Sequence, residues 1–179
     1  MKKPANNKNS IRSMDAINLF DAIGYFTKLC TANKLAVQHE FHPCACSGIN
    51  SLQEVLDEFR FHSAFFAVDD TNDGVTEQRS GGYFKKRTFT VFLLKSYTID
   101  DMADRQTSLD VCRQLFRQVH SRLIHDKENL DNEMIYMNTE NIFSRELGKY
   151  FINGCTGLYF MVDVSEPTDL RYNEQEWME

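Results

Sequence analysis

The segment that decides the fold runs Lys85-Lys-Arg-Thr-Phe-Thr-Val-Phe-Leu-Leu94. Alternate side chains of a strand point to opposite faces of its sheet. The large apolar residues here divide between the two faces, with Phe92 and Leu94 on one and Phe89, Val91 and Leu93 on the other. Because both faces carry apolar side chains, the pattern predicts a long central strand over residues 84–97.

A second strand is predicted just before the central one, over the apolar and aromatic residues 61–68. Two turn signals separate the strands, Asp69-Asp-Thr-Asn-Asp-Gly74 and Ser80-Gly-Gly82. We therefore expect a hairpin with a mobile tip between Asp69 and Gly82. The acidic turn does not match a calcium-binding loop, because position twelve is not Glu whether counting starts at Asp69 or at Asp70.

Two main helices are predicted around this hairpin. The clearer one starts near Asp100, and its apolar residues recur at intervals of three and four: Leu109, Cys112, Phe116, Val119 and Leu123. The polar residues 125–128 are expected to end it. The first helix is expected after Ser13 as its N-cap, with an apolar stripe of Ala16, Leu19, Ile23, Phe26 and Cys30. A capping box over Ser51–Glu54 predicts a further short helix or the approach to a strand.

A second hairpin follows the long helix. Residues 134–137, or 134–143 in a longer version, predict one strand, and Leu158–Val164 predicts the other. Together the elements predict an α+β fold, a small and mostly antiparallel sheet of about four strands backed by two main helices, in the order helix–hairpin–long helix–hairpin. We expect a flexible N-terminal tail over residues 1–13, a single domain over 14–167 and an acidic C-terminal tail over 168–179.

The composition excludes several classes of protein. The chain has 179 residues, 42% of them hydrophobic, and a net charge of −6, which suits a globular domain and argues against broad coating of DNA. Its five cysteines, an odd number, are poor support for a disulfide framework. No stretch approaches the roughly 18–20 apolar residues of a membrane span. We expect folding in a reducing cytoplasm and no contact with a membrane.

One segment carries side chains that suit a metal ion. His39, His42, Cys44 and Cys46 offer imidazole and thiolate ligands. Their spacing differs from that of common zinc modules, and cysteines that act as small buried apolar residues are the simpler interpretation. A small metal-binding or regulatory module built on this segment is the alternative function; otherwise we expect no metal and no cofactor.

Catalytic signatures are weak. His120 or His125 could take part in general acid–base catalysis with an acid such as Asp110 or Asp126. The sequence contains no nucleophile elbow, no Walker A loop and no Gly-x-Gly-x-x-Gly motif. We therefore expect a protein that is not an enzyme.

The order of elements resembles that of bacteriophage tail-terminator and tail-completion proteins, including related neck proteins. The resemblance covers approximately Met14–Pro167 and rests on the first helix, the strand Lys85–Leu94, the helix Asp101–His125 and the ending Gly154-Cys-Thr-Gly-Leu-Tyr-Phe-Met-Val-Asp-Val164. It implies a structural subunit without catalytic residues, which forms a ring, often sixfold, at the tail terminus or the head–tail neck. Such a subunit belongs to a virion assembled in a bacterial cytoplasm, has neighbouring neck or tail proteins as partners, and surrounds a lumen that can pass DNA.

The residues around the first hairpin are the expected contact site. Lys85, Lys86 and Arg87 form the densest basic patch with Arg79, and such a patch suits an acidic partner surface or nucleic acid. A solvated strand end that discourages edge pairing is the competing interpretation. The full set of expected interface residues is Asp69, Asp70, Asp73, Arg79, Lys85, Lys86, Arg87 and, as an anchor in the acidic tail, Trp177.

Overall fold

A seven-stranded sheet around one long strand organises the described part of the chain. The computed structural model describes residues 19–48, 51, 52, 54, 57, 61–148 and 154–178. The strands are β1 (Phe41–Cys46), β2 (Ala64–Asp69), β3 (Asp73–Arg79), β4 (Gly82–Ser96), β5 (Tyr136–Met137), β6 (Phe143–Glu146) and β7 (Cys155–Thr168). The helices are α1 (Ala22–Ala32), α2 (Lys34–Gln38) and α3 (Met102–Asn132), and a 3₁₀ turn over Glu174–Glu176 follows β7.

The antiparallel ladder between β4 and β7 lies at the centre of the sheet and runs from Tyr83 opposite Thr168 to Ser96 opposite Cys155. Along the other side of β4, β3 pairs with the first half of the strand and β2 with the second half. On the outer side of β7, β5 pairs with Val164 and Ser165, and β6 pairs with residues 158–161. β1 extends the sheet beyond β2, in the parallel direction.

The α+β class is confirmed, but the predicted sheet of about four strands and the predicted order of two hairpins are wrong. β3 forms where the sequence predicts a mobile tip. Its polar residues have no apolar period that would indicate a strand, and they pair with β4 through the backbone. β1 forms in the segment that contains the histidines and cysteines, where Pro43 obscures a strand. The predicted third strand is divided into the short strands β5 and β6.

Two apolar cores lie on opposite faces of the sheet, which confirms that β4 is a central strand. The first core lies between the sheet and helices α1 and α3 and includes Phe26, Phe66, Phe89, Val91, Leu93, Leu115, Leu123 and Phe160. The second core lies on the other face and includes Cys46, Leu52, Phe65, Ala67, Phe92, Leu94 and Leu147. Full burial of each large apolar side chain contributes about 1.5–3 kcal/mol, so the two cores dominate the stability of the fold.

Helix α3 extends beyond its predicted end. Asp101 caps it, since its Oδ1 accepts hydrogen bonds from the backbone N–H groups of Ala103 and Asp104 at 2.9 and 3.0 Å. The predicted stripe faces the sheet, and its buried members are Leu109, Cys112, Val119 and Leu123. The polar residues 125–128 do not end the helix, because Leu130 returns to the buried face two turns after Leu123.

Helix α1 begins later than expected, and its predicted stripe is confirmed at Phe26 and Cys30 but not at Leu19 and Ile23. Ser13 and Ala16 lie outside the described residues, and Asp21 is the N-cap, with its Oδ1 2.8 Å from the N–H of Gly24. The predicted positions Leu19 and Ile23 are exposed. The side chains that enter the core follow a spacing of four residues: Ala22, Phe26 and Cys30.

The described residues of the predicted capping box, Ser51, Leu52 and Glu54, have helical backbone, as does Asp57. Gly48 precedes them with a φ of +71°, in the left-handed region. The hydroxyl of Ser51 accepts a hydrogen bond from the N–H of Ser47 at 2.5 Å, so it satisfies a backbone donor that precedes the helix.

Gly157 provides a test of how strongly the fold depends on the β4–β7 ladder. Its φ of +151° is one that L-residues rarely adopt, and a Cβ at this position would collide with the carbonyl oxygen of Leu93 in β4. We expect Gly157→Ala to lower the free energy of unfolding by about 3 kcal/mol, from strain and overpacking together. Urea denaturation would measure the loss. Gly81→Ala is the control, because a Cβ on Gly81 meets no atom within 4 Å, and an equal loss in both variants would contradict the expectation.

Candidate interaction surface

A hairpin arm, which we define as residues 73–88, extends past both apolar cores. It consists of β3 and the first part of β4, and all of β3 except the half-buried Glu77 is exposed. Fully buried side chains in β4 begin only at Phe89. On its other side the arm pairs with the end of β7. The arm is therefore held by backbone pairing and polar contacts rather than by a core of its own.

A buried ion pair joins the base of the arm to the rest of the fold. Nη2 of Arg87 lies 2.5 Å from Oε2 of Glu166 in β7, and the two side chains are only 11% and 5% exposed. The backbone of Phe20 contacts both partners, since its N–H donates to Oε1 of Glu166 at 2.5 Å and its carbonyl accepts from Arg87 at 3.1 Å. The guanidinium also lies over the ring of Phe89, 4.8 Å from its centre. These contacts join Phe20, which precedes the N-cap of α1, to β4 and β7 at one point.

On the opposite face of the arm, the charges are paired with one another. Lys86 lies 2.6 Å from Asp163, which also accepts a hydrogen bond from the hydroxyl of Thr88 at 2.6 Å. Burial of Asp163 opposes its ionisation, but the hydrogen bonds from Lys86 and Thr88 outweigh that effect and lower the pKa of the carboxyl. Arg79 pairs with Glu77 at 2.5 Å near the end of the arm. The surface is therefore polar but close to neutral.

An open groove of about 490 Å³ lies between the arm, β5 and the end of α3. Three cations and three acids line it: Arg79, Lys86, Lys127, Glu77, Asp131 and Asp163. At its rim Tyr136 packs on Phe84, with ring centres 5.9 Å apart. A nucleic-acid groove needs cations in excess to contact phosphates. The balanced charges of this groove fit a polar protein surface better than a nucleic acid.

The expected interface residues divide into two groups. Asp73, Arg79, Lys85 and Lys86 lie along the arm. Of the other four, Arg87 is also part of the arm but is buried at its base, and Asp69, Asp70 and Trp177 lie outside the arm.

Each member of the second group has contacts of its own within the chain. Asp69 is buried and accepts hydrogen bonds from Gly48 and Thr71, while Asp70 accepts from the hydroxyl of Ser47, so both organise the turn after β2. Arg87 is in the buried ion pair with Glu166. Trp177 is 65% exposed in the C-terminal tail and stacks on Tyr172. Asp70 and Trp177 are thus exposed, whereas the carboxylate of Asp69 and the guanidinium of Arg87 are buried.

The residues of the metal hypothesis do not converge in the described part of the chain. Cys44 and Cys46 contact the second core, and burial raises the pKa of their thiols to about 11 and about 12. His42 stacks on His62, with ring centres 4.1 Å apart, and His39 is the C-cap residue of α2. Among the described residues, no group of three or more His, Cys, Asp or Glu side chains is arranged to hold a metal ion.

The residues of the catalytic hypothesis are also separated. A ring nitrogen of His120 lies 2.9 Å from the carbonyl oxygen of Thr139. Asp110 pairs with Arg113. Asp126 pairs with Arg122 and accepts a hydrogen bond from the hydroxyl of Tyr25 at 3.0 Å. Each acid that could assist His120 thus has other partners.

Sequence reasoning missed the two acidic residues that organise the arm, Asp163 and Glu166. Both lie in β7, opposite Thr88 and Lys85 of the basic stretch in β4. A signal was present, because the last strand carries acids on both faces at its C-terminal end while the central strand carries bases at its start. Recognising it required the pairing of these two strands, which are about 75 residues apart in sequence.

The comparisons with protein families and with curated proteins indicate no function for this chain. No protein-family model matches the chain, and no curated protein has a significant match to it. Within the described residues, no helix is both long enough and apolar enough to cross a membrane.

Arg87→Leu tests the base of the arm. Removal of one partner leaves the Glu166 carboxylate buried without its counter-ion, so we expect the free energy of unfolding to fall by about 3–5 kcal/mol in thermal or urea denaturation. Arg113→Leu is the matched control, because Arg113 forms a solvent-exposed pair with Glu146 that contributes less than about 1 kcal/mol. The double variant with Arg87→Leu and Glu166→Gln should lose less free energy of unfolding than Arg87→Leu alone. Equal effects of Arg87→Leu and Arg113→Leu would show that the buried pair does not hold the arm.

Thiol labelling tests the buried state of the cysteines. Burial raises the pKa of Cys44 to about 11 and that of Cys30, Cys46 and Cys112 to about 12. Only the thiolate reacts readily, so at pH 8 iodoacetamide should label Cys44 roughly a hundredfold more slowly in native than in unfolded protein. The native rate should rise as the pH approaches 11. Peptide mass spectrometry would measure the rates, and native labelling of Cys44 at the unfolded rate would contradict the partial burial of this residue.

Proposed function

We propose that the chain is a non-enzymatic assembly subunit of a phage or prophage particle, which forms a ring at the tail terminus or the head–tail neck. The patterns of β4, α3 and β7, which are the elements of the resemblance that the structure retains, support this role, whereas the order of two hairpins does not. The single observation that carries the proposal is the hairpin arm, whose outer strand β3 is exposed on both faces. In this role the arm, on which Asp73 and Arg79 are exposed and Lys85 and Lys86 half-buried, contacts a neighbouring neck or tail protein.

The arm is built to keep its shape while it buries little apolar surface within its own chain. Its base is held by the Arg87–Glu166 pair and by the backbone of Phe20. Its length is held by the β4–β7 ladder, which continues to Tyr83 and Thr168. A rigid projecting strand loses little conformational entropy when a partner covers it. This property suits an element whose role is contact between subunits.

The paired charges of the arm also suit assembly. A closed ring repeats one head-to-tail contact, so each subunit presents the same two surfaces many times. A ring gathers several copies of the arm, and arms with a large charge of one sign would repel one another, whereas the pairs Lys86–Asp163 and Arg79–Glu77 keep the local charge close to zero. This one proposal covers the role in a phage particle, the formation of a ring, and the position of that ring at the neck or tail terminus.

Complementation in a phage genome that lacks this coding sequence tests the proposal. We expect the deletion to leave unjoined heads and tails in electron micrographs, and the wild-type chain to restore joining. Val75→Glu should fail to restore it, because a charge replaces an apolar contact on the arm. Val37→Glu in α2 is the control, since Val75 and Val37 are 62% and 60% exposed and neither belongs to the core. Normal joining in the deletion would reject the role, and normal joining with Val75→Glu would reject the arm as the contact site.

A further inference from the structure

The outer edge of β3 carries backbone groups that the described chain does not pair. β3 pairs with β4 alone, and β1, the outermost strand on that side of the sheet, ends at Cys46, opposite Asp69. An open edge of this kind is a template for pairing with another chain. The edge strand β1 contains Pro43, which lacks a backbone donor, whereas β3 contains no proline. The fold thus limits pairing at β1 and permits it at β3.

The geometry of the hairpin shows which residues face outward. The two-residue turn Ser80–Gly81 joins Arg79 to Gly82, and these two residues lie directly opposite each other. The two residues that close such a turn exchange two backbone hydrogen bonds with each other. Farther along the hairpin, pairs that are hydrogen-bonded in this way alternate with pairs whose N–H and C=O groups point away from the partner strand. The N–H and C=O groups that point away from β4 therefore belong to Gly74, Thr76 and Gln78.

The side chains of β3 match a second copy of the same strand in one antiparallel register. When Thr76 lies opposite Thr76 of the second copy, Asp73 lies opposite Arg79 at both ends, so two pairs of opposite charge form. If one strand is shifted by two residues relative to the other, Asp73 of each copy lies opposite Glu77 of the other copy. If it is shifted by two residues in the opposite direction, the Glu77 residues of the two copies lie opposite each other. Like charges directly opposite each other destabilise a sheet, and Thr–Thr pairs stabilise it. The charges on this edge therefore select one register.

The same register satisfies the backbone. Thr76 opposite Thr76, and Gly74 opposite Gln78 on each side, are the residues whose N–H and C=O groups face outward. Each of these three pairs can exchange two hydrogen bonds across a two-fold axis. Backbone matching therefore permits this register, and charge matching selects it over the registers shifted by two residues, in which outward-facing residues also lie opposite each other.

We propose that two copies of this chain associate through their β3 edges, antiparallel and centred on Thr76, so that their two sheets become one. This isologous contact goes beyond the proposed function, because closing a ring requires a separate head-to-tail contact. In the dimer Arg79 exchanges its exposed pair with Glu77 for Asp73 of the second copy. The charged groups on β3 then take part in specific pairing instead of preventing it.

A proline substitution tests the backbone contact. Thr76→Pro removes an outward N–H and leaves the bonds of β3 to β4 in place, whereas Thr76→Ala removes the same side chain and keeps the N–H. By native mass spectrometry and sedimentation, we expect the wild type and Thr76→Ala to be dimers and Thr76→Pro to be a monomer with unchanged circular dichroism. Dimers of Thr76→Pro with wild-type affinity, or a wild type that stays monomeric at every concentration, would overturn the proposal.

A charge exchange tests the register. Asp73→Arg and Arg79→Asp should each weaken self-association by about tenfold, because each sets like charges opposite each other twice. An equimolar mixture of the two variants should form heterodimers of near wild-type affinity, since every opposing pair is again of opposite sign. Isotope labelling of one variant would identify the heterodimer. Unchanged self-association of the single variants, or no recovery in the mixture, would overturn the register.

These experiments separate the two proposals. If the purified chain dimerises as described but particles without it join heads to tails normally, the edge pairing stands and the phage role fails. If joining depends on the chain while Thr76→Pro dimerises like the wild type, the phage role stands and the edge pairing fails.

Discussion

The pairing of β4 with β7 is the constraint on which the rest of the structure depends. Over Phe89–Leu94 the central strand is apolar on both faces, so it is stable only when both faces are covered. α1 and α3 cover one face, and the core around Leu52 and Phe92 covers the other. Toward its start the strand becomes polar, and neither core extends there. The same ladder thus supports a buried half and an exposed half.

The change from apolar to polar along β4 produces the arm. Once no core covers a sheet, backbone bonds and polar contacts must hold it, and the buried pair Arg87–Glu166 lies where the core ends. A buried pair contributes little net stability compared with apolar residues of similar size, because both ions lose their hydration. Its value here is geometric, since it fixes the direction of the arm relative to α1 and β7.

The sequence allowed most of the buried half of the fold to be predicted and little of the exposed half. Strands β2, β4 and β7 and helix α3 follow from apolar spacing, because burial selects for that spacing. β3 does not follow from it, since DGVTEQR is exposed on both faces and has no apolar period to detect. The residues of the candidate interaction surface were predicted in part. The charges of Arg79, Lys85 and Lys86 identified these residues in the sequence, whereas Asp163 and Glu166 were not identified.

By itself, the sequence determined which segments must be buried, because the apolar side chains of residues such as Phe92 and Leu115 avoid water in any arrangement of the chain. It did not determine the helix caps, since Asp21 is the N-cap of α1 where the sequence predicts Ser13. Only the tertiary structure decided which charges meet, because Lys86 and Asp163 become neighbours only when two distant strands pair in one register. It also decided which backbone edge stays open, since hydrogen-bonding groups are the same at every residue and their exposure depends entirely on what lies beside them.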